Sequence, residues 1–136
     1  MPNLPGTPLF INISWPGGEI TARLEPSATT AALAAALPCQ AQANTWGEEV
    51  YFGVPIKTQL DPDAVDVVPP GTVCFWVQGS SLALPYGPTP VSVGEECRLV
   101  TRVNVLGKID GDPRQLARIR DGARLTVSRI EPPEDS

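Results

Sequence analysis

Trp46-Gly47-Glu48-Glu49-Val50-Tyr51-Phe52 sets an indole, two carboxylates, a phenol and a phenyl ring in one short stretch. Its aromatic and β-branched residues have the composition of a strand. Successive side chains of a strand point to opposite faces, so Glu48 and Glu49 diverge and cannot serve one site as a glycosidase pair would. Parity places Glu48 with Trp46, Val50 and Phe52 on the apolar face, and Glu49 on the other. A carboxylate on an apolar face is costly unless it is bonded. Glu48 is therefore expected at a rim, paired with Arg102 or a backbone amide, or in a ligand-binding or acid–base role in which burial raises its pKa.

Upstream, residues 8–15 alternate, with Leu9, Ile11, Ile13 and Trp15 on one face and Phe10, Asn12 and Ser14 on the other. That is a strand with one buried side. Pro16-Gly17-Gly18 reads as a tight turn in which glycine supplies a positive φ. Ile20, Ala22 and Leu24 then form the return strand. Ser27 has the hydroxyl of an N-cap, and residues 28–37 are alanine-rich, with Leu33 and Leu37 one turn apart and Pro38 as the stop. The next strand is expected to begin near Thr45 and run through Phe52.

Downstream, the segment from Gly53 to Pro70 is irregular, with a short strand expected around Val65, Val67 and Val68. Residues 72–78, 81–86 and 99–109 read as strands. Asp112 as N-cap and Pro113 at the first helical position open a second helix with Leu116 and Ile119 inward and Gly122 as its C-terminal cap. Leu125 and Val127 lie on a last strand. The pattern predicts a mainly β fold: a closed barrel of about eight strands, with two short helices covering its open ends. One domain is expected over 1–130, and a disordered acidic tail over 131–136.

The 136-residue length suits one domain with its own core, and the 16 prolines are scattered as turn punctuation. No apolar run reaches bilayer length, and Met1-Pro2-Asn3-Leu4-Pro5-Gly6 lacks the basic start and apolar centre of a signal peptide, so a cytoplasmic location is expected. The net charge is −5 and no stretch concentrates Lys or Arg, which disfavours nucleic acid and anionic membranes as partners. Cys39, Cys74 and Cys97 are expected as reduced thiols, Cys74 as an inert buried one. There is no histidine, so no Ser-His-Asp triad, Cys-His pair or His-ligated metal can form. Asp61, Asp63 and Asp66 lack the glycine and distal glutamate of a calcium loop, and the glycines form no phosphate or dinucleotide motif. Neither a cofactor nor a metal is expected.

Four segments, read in order, resemble a family of small bacterial and archaeal proteins with a cyclophilin-like β-barrel. They are 46–52, Phe75-Trp76-Val77-Gln78-Gly79, Tyr86-Gly87-Pro88-Thr89-Pro90 and Val103-Asn104-Val105-Leu106-Gly107-Lys108-Ile109. The likeness spans roughly residues 9 to 130. It departs at 75–79, where relatives usually carry Tyr-Trp followed by Pro-x-Gly and this chain has Phe75-Trp76 followed by Val77-Gln78-Gly79. Within the wider resemblance to cyclophilins, the catalytic arginine would fall on the strand that holds Glu48 and Glu49. A carboxylate cannot donate the hydrogen bonds an arginine would, so prolyl isomerase activity is not expected. The family has no settled biochemical role.

Trp46, Tyr51, Phe52, Phe75, Trp76 and Tyr86 are six of only eight aromatic residues. Any one of them fits a core. Together they suit a partly apolar pocket at a barrel mouth, since some must point away from Val50 and Phe52. The expected binding residues are Trp46, Glu48, Tyr51, Phe75, Trp76, Tyr86, Arg102 and Asn104, with Glu48 the catalytic candidate. Asn104 is equally suited to bonding a loop backbone. The functions in view are binding of a small molecule or extended peptide, cofactor-independent isomerisation or cyclisation of an apolar metabolite, and weak prolyl isomerase activity.

Overall fold

The computed structural model describes residues 6–132, so residues 133–136 of the expected tail lie outside the described residues. The first hairpin pairs β1 (Leu9–Trp15) with β2 (Gly18–Leu24), from Leu9 opposite Leu24 to Trp15 opposite Gly18. Leu9, Ile11 and Ile13 are buried as their alternation requires. Neither Gly17 nor Gly18 has the expected positive φ. The glycines instead leave room for the Trp15 indole, since a Cβ on Gly18 would lie 3.1 Å from its ring.

Helix α1 (Ala28–Ala36) follows, with the Ser27 hydroxyl accepting the Thr30 N–H at 3.0 Å. The chain then supplies β3 (Cys39–Gln42), β4 (Asn44–Thr45), β5 (Glu49–Gly53), β6 (Val65–Val68), β7 (Thr72–Trp76), β8 (Ser81–Pro85), β9 (Cys97–Ile109) and β10 (Arg124–Arg129). That makes ten strands among the described residues where about eight were expected. The extra ones come from residues 39–45. The opening motif is also not one strand: Trp46-Gly47-Glu48 is a turn, and β5 begins only at Glu49.

The strand order is β3-β10-β1-β2-β9-β7-β8-β5-β4, with β6 attached to β9. Its two ends, β3 and β4, are consecutive pieces of one segment. The sheet therefore comes round on itself through residues 39–45. Ala43 is the seam: its N–H donates to the Ala123 carbonyl and its carbonyl accepts from Gly122, both at 2.8 Å. Gly122, at φ +87°, is thus a joint of the barrel. It does not cap the second helix, which is a 3-10 helix (Pro113–Arg118) ending at Ile119. Asp112 caps that helix at Arg114 N, 2.9 Å, and Leu116 and Ile119 point into the core as expected.

Inside the barrel, Ile11, Leu24, Leu33, Val50, Phe52, Phe75 and Leu82 pack in one cluster with no exposed surface. Each large side chain buried there contributes about 2 kcal/mol. A second, smaller cluster lies on the outer wall. Strand β9 is 13 residues long and divides its work. Residues 104–109 pair β7 and β2 within the barrel, whereas Cys97, Arg98 and Val103 pair β6. The register jumps between Val65 and Val67, so β9 carries four residues, 99–102, opposite Asp66 as a bow in the strand. The β6–β9 ribbon thus covers the outer faces of β7 and β8, with Val68, Cys74, Ala83, Cys97, Leu99 and Val103 buried between.

Candidate functional site

The turn at the opening motif fixes everything around it. Trp46 N–H donates to the Glu49 carbonyl at 3.0 Å, and Gly47 sits at φ +60°. A Cβ on Gly47 would come within 2.9 Å of both Pro90 and the Thr89 backbone, so this position needs glycine for conformation and for space. Because residues 47 and 48 are not extended, strand parity starts at Glu49. Val50 and Phe52 enter the barrel core, and Glu49 and Tyr51 face outward.

Outward from β5, the row continues across the sheet. Tyr51 pairs with Ala83, and Ala83 with Cys74. Phe75 points inward and Trp76 outward. Trp46, Glu49, Tyr51 and Trp76 thereby line one cavity of about 230 Å³ between the outer wall and the ribbon. Ala83, Leu99, Val100 and Val103 complete an apolar lining. The Tyr51 and Trp76 rings meet edge to face, 6.1 Å between centroids and 85° between planes. The Trp76 indole lies over Gly79, where a Cβ would collide with it. That is the physical reason for glycine at the end of the 75–79 motif.

Glu49 is the polar group of this cavity. Its residue exposure is only 5%, and among the described residues its buried Oε1 has no hydrogen-bond partner. Burial pushes its pKa up to about 7. The neighbouring thiols respond to the same surroundings. Burial raises Cys74, and the charges of Glu49 and Cys97 raise it further, so it is an inert thiol as expected. Cys97 is raised by burial and then by Glu48, Glu49 and Glu96.

The sequence pattern of the cyclophilin-like family matches residues 9–128. The chain belongs to the cyclophilin-like family. It is also similar to the solution structure of hypothetical protein AF2241 from Archaeoglobus fulgidus, with 30% identity and a TM-score of 0.78 over 92% of this chain and 97% of that one. No curated protein matches the chain. For this cyclophilin-like protein, then, the relatives give the fold and the chemistry must be read from its own residues.

Of the residues expected at the site, the structure brings together Trp46, Tyr51 and Trp76, and places them on the outer wall instead of a barrel mouth. Glu48 is a correction: the turn breaks the parity that put it on the apolar face. It is exposed, with its carboxylate above Gly87, where a Cβ would lie 2.7 Å from Oε1. Phe75 is a core residue with no exposed surface. Tyr86 packs at the edge of the same interior core, its phenol pKa raised by burial and by Glu48. Arg102 is exposed and outside the cavity lining.

Asn104 ties the fold together. It accepts from Asp61 N at 2.7 Å and donates to the Gln59 carbonyl at 2.9 Å and to Thr29 Oγ1 at 3.3 Å. Sequence reasoning missed Glu49, along with Leu99, Val100 and Val103. The available signal was Gly47: a glycine inside a strand pattern marks a bulge or turn and resets the parity after it. The bow in β9 leaves no comparable mark.

Proposed function

We propose that this protein is a binding module whose outer-wall cavity holds a small, mostly apolar molecule with one polar end directed at Glu49. The observation that carries this reading is the buried Glu49 oxygen that has no partner among the described residues, beside three aromatic rings. A buried polar atom without a bond costs about 1–3 kcal/mol, and such groups in apolar cavities are characteristic of ligand sites. A cavity of about 230 Å³ suits a small molecule or a single side chain of an extended peptide. Net charge −5 supports a partner other than nucleic acid or an anionic membrane, and the unpaired thiols Cys39, Cys74 and Cys97 fit a cytoplasmic setting.

A second reading is cofactor-independent isomerisation or cyclisation, favoured by the Glu49 pKa near 7, where a carboxyl exchanges protons readily. Prolyl isomerase activity is not part of the proposal. The turn and strand that follow α1 carry Glu48 and Glu49, and neither can act as a guanidinium donor. The test incubates the purified protein with a metabolite extract and weighs what stays bound by native mass spectrometry. Wild type retains a discrete small molecule that the folded Trp46→Ala and Trp76→Ala variants lose. A mass retained equally by both variants, or none at all, contradicts the proposal.

A further inference from the structure

We infer that the ligand of this cavity is a small organic cation, a quaternary or substituted ammonium group held between the Trp46, Tyr51 and Trp76 rings with the Glu49 carboxylate as its counter-ion. The inference rests on the proposed binding role and adds the ligand's charge. Tyrosine and tryptophan faces are negative, and with three such rings lining one cavity a cation that reaches a face is attracted more strongly than a neutral molecule of the same shape. The perpendicular Tyr51 and Trp76 planes present two differently oriented walls. A quaternary ammonium has no N–H to satisfy and meets the carboxylate by charge, a substituted one can donate its N–H to the open Glu49 oxygen, and the apolar lining by Ala83, Leu99 and Val103 suits the alkyl surface of either.

The surrounding charge has the same sign. Among the described residues no basic side chain pairs with Glu49. On β9, Arg98 is held by Glu96 at 2.9 Å and by Asp66 at 3.6 Å, and Arg102 lies outside the lining. On β7 and β9, the thiols of Cys74 and Cys97 are both raised by the Glu49 charge, and Glu48 and Glu96 act on Cys97 as well. The Tyr51 phenol is the remaining titratable group of the lining. The cavity is thus a desolvated, net-negative site with a vacant carboxylate oxygen. A bound cation favours the ionised carboxyl, so binding releases a proton and weakens as pH falls below about 7.

The probes are choline and 3,3-dimethylbutan-1-ol, which have the same shape and differ in the charge at the quaternary atom. Each is titrated by tryptophan fluorescence at pH 8 and pH 6. Choline is expected to bind at least tenfold more tightly than the alcohol at pH 8 and to lose about tenfold by pH 6, while the alcohol is insensitive to pH. In Glu49→Gln the preference for choline collapses to threefold or less. Equal binding of the two probes to wild type overturns the cation assignment and leaves the binding role standing. Choline binding that is insensitive to pH, or intact in Glu49→Gln, overturns the counter-ion. Binding of neither probe overturns the inference, and the metabolite capture above then decides separately whether the cavity binds anything. The wild-type comparison needs no variant, so a folding defect in Glu49→Gln does not blunt the test.

Discussion

Glu49 makes stability depend on pH with a definite sign. Its pKa is near 7 in the folded protein against an ordinary 4.5, because burial disfavours the charged form. The folded state therefore holds the proton more tightly than the unfolded chain. Stability from this group is complete below pH 4.5 and is lost as pH rises to about 7, by roughly 3 kcal/mol at 1.36 kcal/mol per unit. Urea midpoints measured between pH 4.5 and 8 should fall, and in Glu49→Gln this decline should vanish, leaving the variant more stable than wild type at pH 8. A parallel decline in both proteins would place the titrating group elsewhere. Glu96 acts in a different window. It accepts from Val93 N, Gly94 N and Arg98, which hold its pKa down to about 2, so its contribution is lost only below pH 4.5. At this scale the sequence shows a carboxyl beside the rings but not which of the two adjacent glutamates is buried. Parity puts Glu48 on the apolar face, at a rim, paired or at a site; the turn at Gly47 leaves Glu48 exposed and makes Glu49 the buried carboxyl beside the rings.

Strand β9 explains why the 103–109 segment is built as it is. Asn104 satisfies the Asp61 N–H and the Gln59 carbonyl, holding the irregular stretch before β6 against the barrel. Asn104→Ala should leave both groups unpaired and cost about 2–3 kcal/mol in denaturant unfolding, with the affinity of any cavity ligand unchanged. A tenfold loss of affinity with unaltered stability would return Asn104 to the binding site. Three residues on, Gly107 pairs with Leu24, and a Cβ there would overlap the Arg23 carbonyl oxygen. Gly107→Ala should separate β2 from β9 and lower stability by about 3 kcal/mol or more, read from the thermal midpoint. An alanine variant as stable as wild type would mean that β2 and β9 do not approach so closely. Alternation and turn chemistry made β1, β2, β7, β8 and β10 legible to within two residues. They could not show the bow at 99–102, because the Val65–Val67 register jump is set by the partner strand and not by any local preference.

For the whole molecule, closure and cavity have a common origin. The barrel closes because residues 39–45 pair β10 with one half and β5 with the other, and the turn that follows throws Trp46 and Glu49 onto the outer wall. The interior is then filled by Phe52, Phe75 and the aliphatic cluster, and the cavity proposed for the ligand lies on the outer wall against β9. Barrel architecture and family were legible from element order and from the four motif segments, and the family match over residues 9–128 agrees. A pocket at the barrel mouth was the natural expectation for clustered aromatics. It failed because strand parity divides them: Phe75 goes in and Trp76 goes out. Amide chemical-shift mapping during titration with the captured metabolite decides whether the outer cavity is where it binds. Shifts should concentrate at residues 46–51, Trp76, Ala83 and 99–103, with the amides of Asn104 and of the inward-facing Leu9, Ile11 and Ile13 unmoved. Shifts confined to the β1–β2 hairpin or to the end of the barrel near the 3-10 helix would contradict it.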